Sequence, residues 1–399
     1  MKYSYLHVIN SLDTKYGGPP IAITNLAISQ KANGHKVSIV STYISEKELN
    51  TVKNEFSYLK EKGIEIIQFK AKTFYRISFK LIMFFLKNKR NNIYYFHGLY
   101  RFPTTFGPWI CRLKNFNYVI RIHGSLDPYL FNKATKGKGF LVLKKLSEFF
   151  FDIPNIQKAV WIHLTSKNEL KKLPKSFSKS STKLVIPNGI SEPNYTKFIN
   201  IREKYNIKIN QKILLYLGRI NNKKGIDILL NSFSLVHKQV KNITLLIVGP
   251  DNDNYKKELN KIFSKLNEKV KSQVIFDSQI PRKYIKSYYS QSDLTIFPSR
   301  TENFGMTVIE SIYYGTPALI SKNIDIFDDL DSYKVVGLIK YLKSKNVYKD
   351  IIKTMNNKKL SAEVKSNGKE IIKNLYSWNS ISEMIEKYSD KLIKFENVS

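Results

Sequence analysis

Short apolar runs alternate with amphipathic stretches along nearly the whole chain. YSYLHVI (3–9) predicts a strand and is followed by a Gly-Gly-Pro-Pro turn. PIAITNLAISQKANGH (20–35) then has the apolar spacing of a helix, with Gly34 as its C-cap glycine. KVSIVST (36–42), IEIIQFK (64–70), NIYYFHG (92–98), YVIRIHG (118–124), AVWIHLTS (159–166) and KLVIPNG (183–189) continue the series. These runs are rich in β-branched and aromatic residues, and helical patterns lie between them. That is βαβ order, which argues for a parallel sheet covered on both faces.

The pattern restarts after IPNGI (186–190). KILLYLGRI (212–220), ITLLIVGP (243–250), QVIFDS (273–278), LTIFPS (294–299) and TPALIS (316–321) predict a second set of strands. The reading is an α/β chain of two facing, doubly wound Rossmann-like domains, 1–190 and 191–376. A final amphipathic helix is expected within 377–399, in SWNSISEMIEKYSDKLIKF. In open α/β sheets ligands bind at the carboxyl ends of the strands. The loops to inspect therefore hold Gly17-Gly18, His97-Gly98, His123-Gly124, Gly218-Arg219, Gly249-Pro250 and Arg300 to Gly305.

The stretch RTENFGMTVIESIYYGTP (300–317) carries Glu302 and Glu310 around a strand-loop-helix junction. If every step between them were helical, the two would stand about 12 Å apart. A two-carboxylate hydrolase needs roughly 5–10 Å, so the pair suits two ends of one extended ligand better. The N–H groups of Phe304, Gly305, Met306 and Thr307 lie between them, at a helix start that favours a phosphate. An object with two hydroxyl-rich ends and a central diphosphate is a nucleotide-sugar. A capping glutamate beside a solvated one is the alternative on these residues alone. GRINNKKG (218–225) also joins a strand to a helix, and Arg219 and Lys224 suit a diphosphate leaving group. YGGPP (16–20) lets backbone approach a phosphate or sugar closely.

Charge and composition add partners rather than a fold. The net charge of +34 is spread along the chain, with no dense basic block and no nucleic-acid motif. Nucleic acid is not an expected partner; an anionic membrane surface or an anionic substrate is. The single cysteine, Cys111, excludes an internal disulfide framework and reads as a buried small hydrophobe. No run has the length of a membrane span or a secretory signal, so the expected place is the cytoplasm, with peripheral attachment to the inner face of the plasma membrane. FYRISFKLIMFFLKNKR (74–90) and KKLSEFFFDIP (144–154) each read as a core helix or a membrane-surface helix.

Together these motifs resemble the retaining glycosyltransferases of family 4, which have the two-domain GT-B fold. The likeness runs from SLDTKYGGPPIAITNLA through RIHGSLDPYL, HLTSKNE, IPNGI, GRINNKKG and PSRTENFGMTVIESIYYGTP to the last, Trp-containing helix. GGPP with HGSLDP further resembles members that build bacterial surface polysaccharides. The resemblance implies that Glu310 holds the nucleotide ribose and that Glu302 lies near the donor sugar hydroxyls. It implies that Asn303, Phe304, Gly305 and Met306 bring backbone to the sugar and phosphate, and that Arg219 and Lys224 bind the diphosphate. His123 would orient the donor sugar, Gly17 and Gly18 would face donor phosphate and acceptor, and the helix near Trp378 would cross back to the N-terminal domain. The catalytic group is then His123, Glu302, Arg219 and Lys224, with Asp127 and His97 as acceptor candidates. The donor would be UDP- or GDP-linked, the acceptor a lipid-linked oligosaccharide hydroxyl, with no cofactor and no metal.

Departures and rival readings accompany this. Asp277 and Ser278 stand where relatives often carry a glycine near the base, and 322–345 departs from the usual proline and tryptophan pattern. Asp-Asn-Asp (251–253) matches a metal motif of the other glycosyltransferase fold but sits in a Gly-Pro turn. His7 and His163 are expected as satisfied core residues, and His35 and His237 as exposed ones. A nucleotide-sugar epimerase of the same fold and a basic, non-enzymatic surface-binding protein are the alternatives.

Overall fold

The computed structural model describes residues 3–88, 93–127, 144–178, 181–190, 196–251, 254–278 and 280–396. The chain divides into two compact units, Met1–Gly189 with Trp378–Ser399, and Ile190–Ser377.

The first unit is built on β1 (Ser4–Ile9), β2 (Lys36–Tyr43), β3 (Glu65–Lys70), β4 (Ile93–His97), β5 (Tyr118–Arg121), β6 (Trp161–Leu164) and β7 (Thr182–Val185). They form one sheet in the order β3-β2-β1-β4-β5-β6-β7. Every adjacent pair is parallel. β1, β4, β5 and β6 are buried along nearly their whole length, as strands covered on both faces are. The order reverses direction between β1 and β4, which opens a crevice at their carboxyl ends.

The closing helix Trp378–Glu396 packs on the helix Gly18–Ala32 of this same unit. Trp378, Ile381 and Ile385 enter one cluster with Tyr5, Leu26 and Ile186. The Ser29 hydroxyl donates to the Trp378 carbonyl at 3.0 Å. Gly189 lies directly under the indole: a Cβ there would sit 2.3 Å from Trp378 Cδ2.

The second unit holds β8 (Lys212–Leu217), β9 (Ile243–Val248), β10 (Val274–Asp277), β11 (Leu294–Phe297), β12 (Ala318–Ser321) and β13 (Val336–Ile339). Their order is β10-β9-β8-β11-β12-β13, again parallel, with the reversal between β8 and β11. Both units are thus doubly wound.

Three features differ from or refine the sequence reading. The acidic stretch 322–345 completes the second sheet: Phe327, Leu330, Val335, Val336 and Ile339 join its core, and β13 forms the edge. The helix Phe79–Lys87 buries Leu81 and Phe85 in the core of the first unit and leaves Phe79 73% exposed. His35 and His237 are buried, against expectation. His35 lies against the rings of Tyr3 and Tyr5, 3.4 Å from Glu386 Oε2, and His237 packs on Phe233. A glycine cap and a helical position say where the backbone goes, not which face a tertiary partner covers. Among the described residues no helix is long and apolar enough to cross a membrane.

Candidate functional site

In the second unit two loops leave neighbouring strands at the β8/β11 reversal. The first runs from Gly218 through the short 3-10 turn Asn222–Lys224 to Gly225, where the helix Ile226–Gln239 begins. Gly225 is left-handed (φ 68°), and a Cβ on it would fall 2.1 Å from the Pro298 carbonyl oxygen. Only glycine lets the loop after β11 approach this closely.

That second loop carries Arg300 to Gly305. Arg300 donates to both carboxylate oxygens of Asp227, at 2.8 and 2.6 Å, and to the Asn222 carbonyl at 2.6 Å. Its own N–H donates to the Lys223 carbonyl at 2.6 Å. A bidentate arginine of this kind fixes geometry as well as charge. Phe304 anchors the loop from below, buried edge-on against Tyr376 with ring centroids 5.5 Å apart. Gly305, at φ 83°, then turns the chain into the helix Met306–Tyr313.

The clamp brings Lys224 and Glu302 into an ion pair. Burial alone would raise the Glu302 carboxyl, but Lys224, then Lys223 and Arg219, hold it below the ordinary carboxylate range. Glu302 is therefore an ionised group facing three cations. The Arg219 guanidinium makes no hydrogen bond or ion pair with a described residue; its carbonyl accepts from the Tyr216 hydroxyl at 2.8 Å. Glu310 is not part of this cluster. It lies buried on the helix, with Arg282 Nη2 and the Tyr289 hydroxyl each 3.3 Å from its carboxylate, and burial raises its pKa. Asn303 and Met306 are half-buried beside the helix start.

Two of the other positions singled out in the sequence have local structural work. Asp277 pairs with Lys204 at 2.7 Å and accepts from the Tyr205 hydroxyl. Asp251 accepts from the backbone N–H groups of Tyr255 and Lys256 at 2.8 and 3.0 Å, tying down the turn ahead of the helix Lys256–Ser264. The other two residues of the Asp-Asn-Asp stretch lie outside the described residues. Among the described residues no group of three or more His, Cys, Asp or Glu could hold a metal ion.

The first unit has its own constellation at the β1/β4 reversal. Gly17, at φ 96°, ends a turn capped by Asp13, and the helix Gly18–Ala32 starts at Gly18. Pro19 and Pro20 follow at once, so two of this helix's first N–H groups do not exist. As a phosphate cradle it is poorer than the start at Met306.

Strand register builds a row of polar groups across the first sheet. His7 pairs with Tyr95, His97 with Arg121, and Arg121 with His163, which puts these side chains on one face. His7 Nε2 meets Gln30 Oε1 at 2.7 Å, His7 Nδ1 meets His97 Nε2 at 2.9 Å, and His97 Nδ1 meets His123 Nε2 at 3.0 Å. Burial keeps these rings neutral: it lowers His7 to about 4 and holds His97 and His123 well below the usual histidine range. An amide oxygen only accepts, so each ring passes its one N–H towards Gln30 and His123 Nδ1 is left as an acceptor. His123 itself is left-handed (φ 52°), ahead of Gly124, whose N–H donates to Glu169 Oε1 at 2.6 Å. Arg121, fully buried, donates to the Asn188 side chain. His163 bonds Tyr95 and, at 2.7 Å, the Ile186 carbonyl oxygen. Asp127 lies 3.5 Å from Lys172, and Pro128 is outside the described residues.

A cavity of about 200 Å³ opens beside His97 and His123, lined also by Tyr16, Pro19, Phe74, Arg76 and Arg101. Sequence reasoning missed the Arg300–Asp227 clamp, Arg282 and the histidine chain. Arg300 and Asp227 adjoin the quoted motifs and carried a signal in their opposite charges. Arg282 and the chain depend on contacts far apart in sequence and had none.

Two Rossmann-like units with a charged pair and a helix start at the second sheet's reversal define the glycosyltransferase type of GT-B fold. Residues 197–371 match the glycosyl transferases group 1 family, and the second unit is such a domain. The chain is 25% identical over 277 residues to a lipopolysaccharide 1,2-N-acetylglucosaminetransferase of Salmonella typhimurium, covering 67% of this chain and 71% of that one. It is 24% identical to an alpha-monoglucosyldiacylglycerol synthase of Streptococcus pneumoniae, covering 81% and 72%. A sucrose-phosphate synthase from Thermosynechococcus elongatus superposes with a TM-score of 0.75 at 19% identity, covering 98% of this chain and 99% of that one. Anabaena HepE in complex with UDP and glucose gives 0.74 at 14%, covering 98% and 100%. At these identities the solved structures speak for the fold alone.

Proposed function

We propose that this glycosyltransferase moves a sugar, with retention, from a UDP- or GDP-linked donor to a hydroxyl of a lipid-linked oligosaccharide in surface polysaccharide or glycolipid synthesis. One observation carries the reading: the Lys224–Glu302 pair, joined to the helix start at Gly305 and to Arg219, whose charge acts on Glu302 while its guanidinium makes no ion pair with a described residue. In the donor complex Arg219 and Lys224 take the diphosphate, and Glu302 turns to the sugar hydroxyls. Glu310, held ready by Arg282 and Tyr289, takes the ribose. The first unit is read as the acceptor side, with His123 Nδ1 available as a hydrogen-bond acceptor. The bond from the anomeric carbon to the phosphate oxygen breaks, and the acceptor oxygen bonds to that carbon on the same face. The acceptor proton passes to the leaving phosphate, whose charge the two cations and the helix start stabilise. No metal has a part in this scheme. By name one matched relative is a lipopolysaccharide N-acetylglucosaminetransferase and another a synthase of a glucosyl diacylglycerol, which favours a lipid-linked acceptor at a membrane surface.

The test is a panel of nucleotide-sugars assayed for nucleoside diphosphate release, with and without lipid-linked acceptor. Acceptor-dependent release from one donor is expected. Glu302→Gln and Arg219→Ala should each lower kcat/KM by at least ~100-fold, the scale of lost transition-state charge stabilisation, with unchanged circular dichroism. Release of free epimerised sugar without acceptor would replace the reading by an epimerase. Full transfer by both variants would overturn the site.

A further inference from the structure

The cavity of the first unit carries a charge that its own lining does not balance. None of its described lining residues is acidic. Of its two arginines, Arg76 is neutralised: it is buried, 2.7 Å from Glu48, and donates to the Asn10 and Thr42 carbonyls at 3.0 Å each. Arg101 has no such partner. It heads the helix Phe102–Leu113, its guanidinium lies 3.7 Å over the Phe74 ring, and it makes no ion pair with a described residue. Burial, and after it the charge of Arg76, lowers its pKa, and no carboxylate acts in the other direction. His97 and His123 are neutral and add nothing to either side. Stacking fixes the plane of the guanidinium and leaves its N–H edge for a planar or tetrahedral anion.

The rest of the cavity fixes the kind of molecule. Phe74, Pro19, Pro20 and Leu99 give an apolar wall, and its volume of about 200 Å³ falls below the ~300–1,000 Å³ of drug-sized sites. It admits one ring-sized group and not a chain of them. We propose that this cavity takes an acceptor bearing an anionic group, a phosphate or a carboxylate, which Arg101 holds beside the wall of Phe74 and Pro19. The proposal rests on reading the first unit as the acceptor side. It adds that the acceptor is recognised by charge.

Calorimetric titration of the full chain tests it, with octyl phosphate for a lipid-borne phosphate and methyl glucuronide for a sugar-borne carboxylate. Octyl glucoside serves as the neutral control. The wild-type chain should bind at least one of the two anions about ten times more tightly than octyl glucoside, the scale of one charge-assisted pair. The better of the two names the source of the charge. Arg101→Gln should abolish that preference and leave octyl glucoside binding unchanged, and Arg101→Lys should keep part of it. In the transfer assay Arg101→Gln should raise KM for an anionic acceptor and not for its neutral analogue. Equal binding of all three ligands overturns the proposal, as does an anion preference that survives Arg101→Gln. Failure of every nucleotide-sugar to turn over, with the Arg101-dependent preference intact, overturns the transferase reading and leaves the anion site standing. An unchanged denaturation midpoint for Arg101→Gln excludes misfolding as the cause of lost binding.

Discussion

Gly225 is the residue on which the C-terminal site depends most directly. It holds no ligand and carries no charge, yet it sets the distance between the two loops that supply Lys224 and Glu302. A side chain here meets two obstacles. The left-handed backbone costs an alanine about 1–2 kcal/mol, and its Cβ would lie 2.1 Å from the Pro298 carbonyl oxygen, which belongs to the backbone and cannot rotate away. Gly225→Ala should therefore lower the stability of the second unit and push the loop after β11 outwards, breaking the register of Arg300 on Asp227. The expected result is a fall in kcat/KM of at least ~10-fold, towards the ~100-fold of a 1 Å misplacement, together with a lower denaturation midpoint. Wild-type kinetics in Gly225→Ala would show that loop spacing is not what the glycine provides. Glu302 stays with its cations over a defined pH range. Its folded pKa is depressed, so the pair contributes stability above the ordinary glutamate range and loses it only as pH falls through the lowered value.

At the level of strands and helices, the first sheet gathers its histidines by register rather than by motif. His7, His97 and His163 sit on three strands, and His123 follows a fourth; nothing local in the sequence joins them. The C-terminal site was legible for the opposite reason, since Arg219, Lys224, Glu302 and the glycine turns lie in two short loops whose strand-loop-helix grammar is local. Most strands were legible because burial on both faces makes them continuous apolar runs. β13 escaped because four residues beside an acidic helix give too short a run. The register has a measurable consequence. In the unfolded chain these histidines titrate near 6.5, whereas His7 is lowered to about 4 and the others lie well below the usual value. Arg121, beside them, works in the same direction after burial. The unfolded state thus binds more protons than the folded one below pH ~6.5, so stability is full above that value and is lost as pH falls, by up to ~1.4 kcal/mol per pH unit for each ring. Trp109, Trp161 and Trp378 all belong to the first unit, so tryptophan fluorescence follows its unfolding alone. The urea midpoint read this way should drop steeply between pH 6.5 and 4.5. A flat profile would mean that the rings are charged in the folded protein.

For the whole molecule, the surplus of base over acid is a property of the surface that no single site uses up. Lysine and arginine total 66 against 32 acids, and the catalytic scheme employs only a few of them. Phe79, next to Lys80, and Phe149, four residues after Lys145, are exposed at 73% and 69%. Exposed aromatic rings next to lysines suit the interface of an anionic membrane, where each basic group near the surface contributes about 1 kcal/mol and apolar side chains enter the headgroup layer. Both residues belong to the first unit, which is read as the acceptor side, so attachment there would bring that unit to a lipid-borne acceptor. Sedimentation with phosphatidylcholine vesicles, alone and mixed with phosphatidylserine, separates the two contributions. Binding is expected only to the mixed vesicles, and it should weaken as the screening length shrinks from about 10 Å at 0.1 M salt towards 3 Å at 1 M. Phe79→Ser with Phe149→Ser should weaken it further at every salt concentration, because these changes remove insertion and leave the charge. Equal binding to neutral vesicles would make the basic surface irrelevant to membrane attachment, and unchanged binding by the double variant would remove the two rings from it.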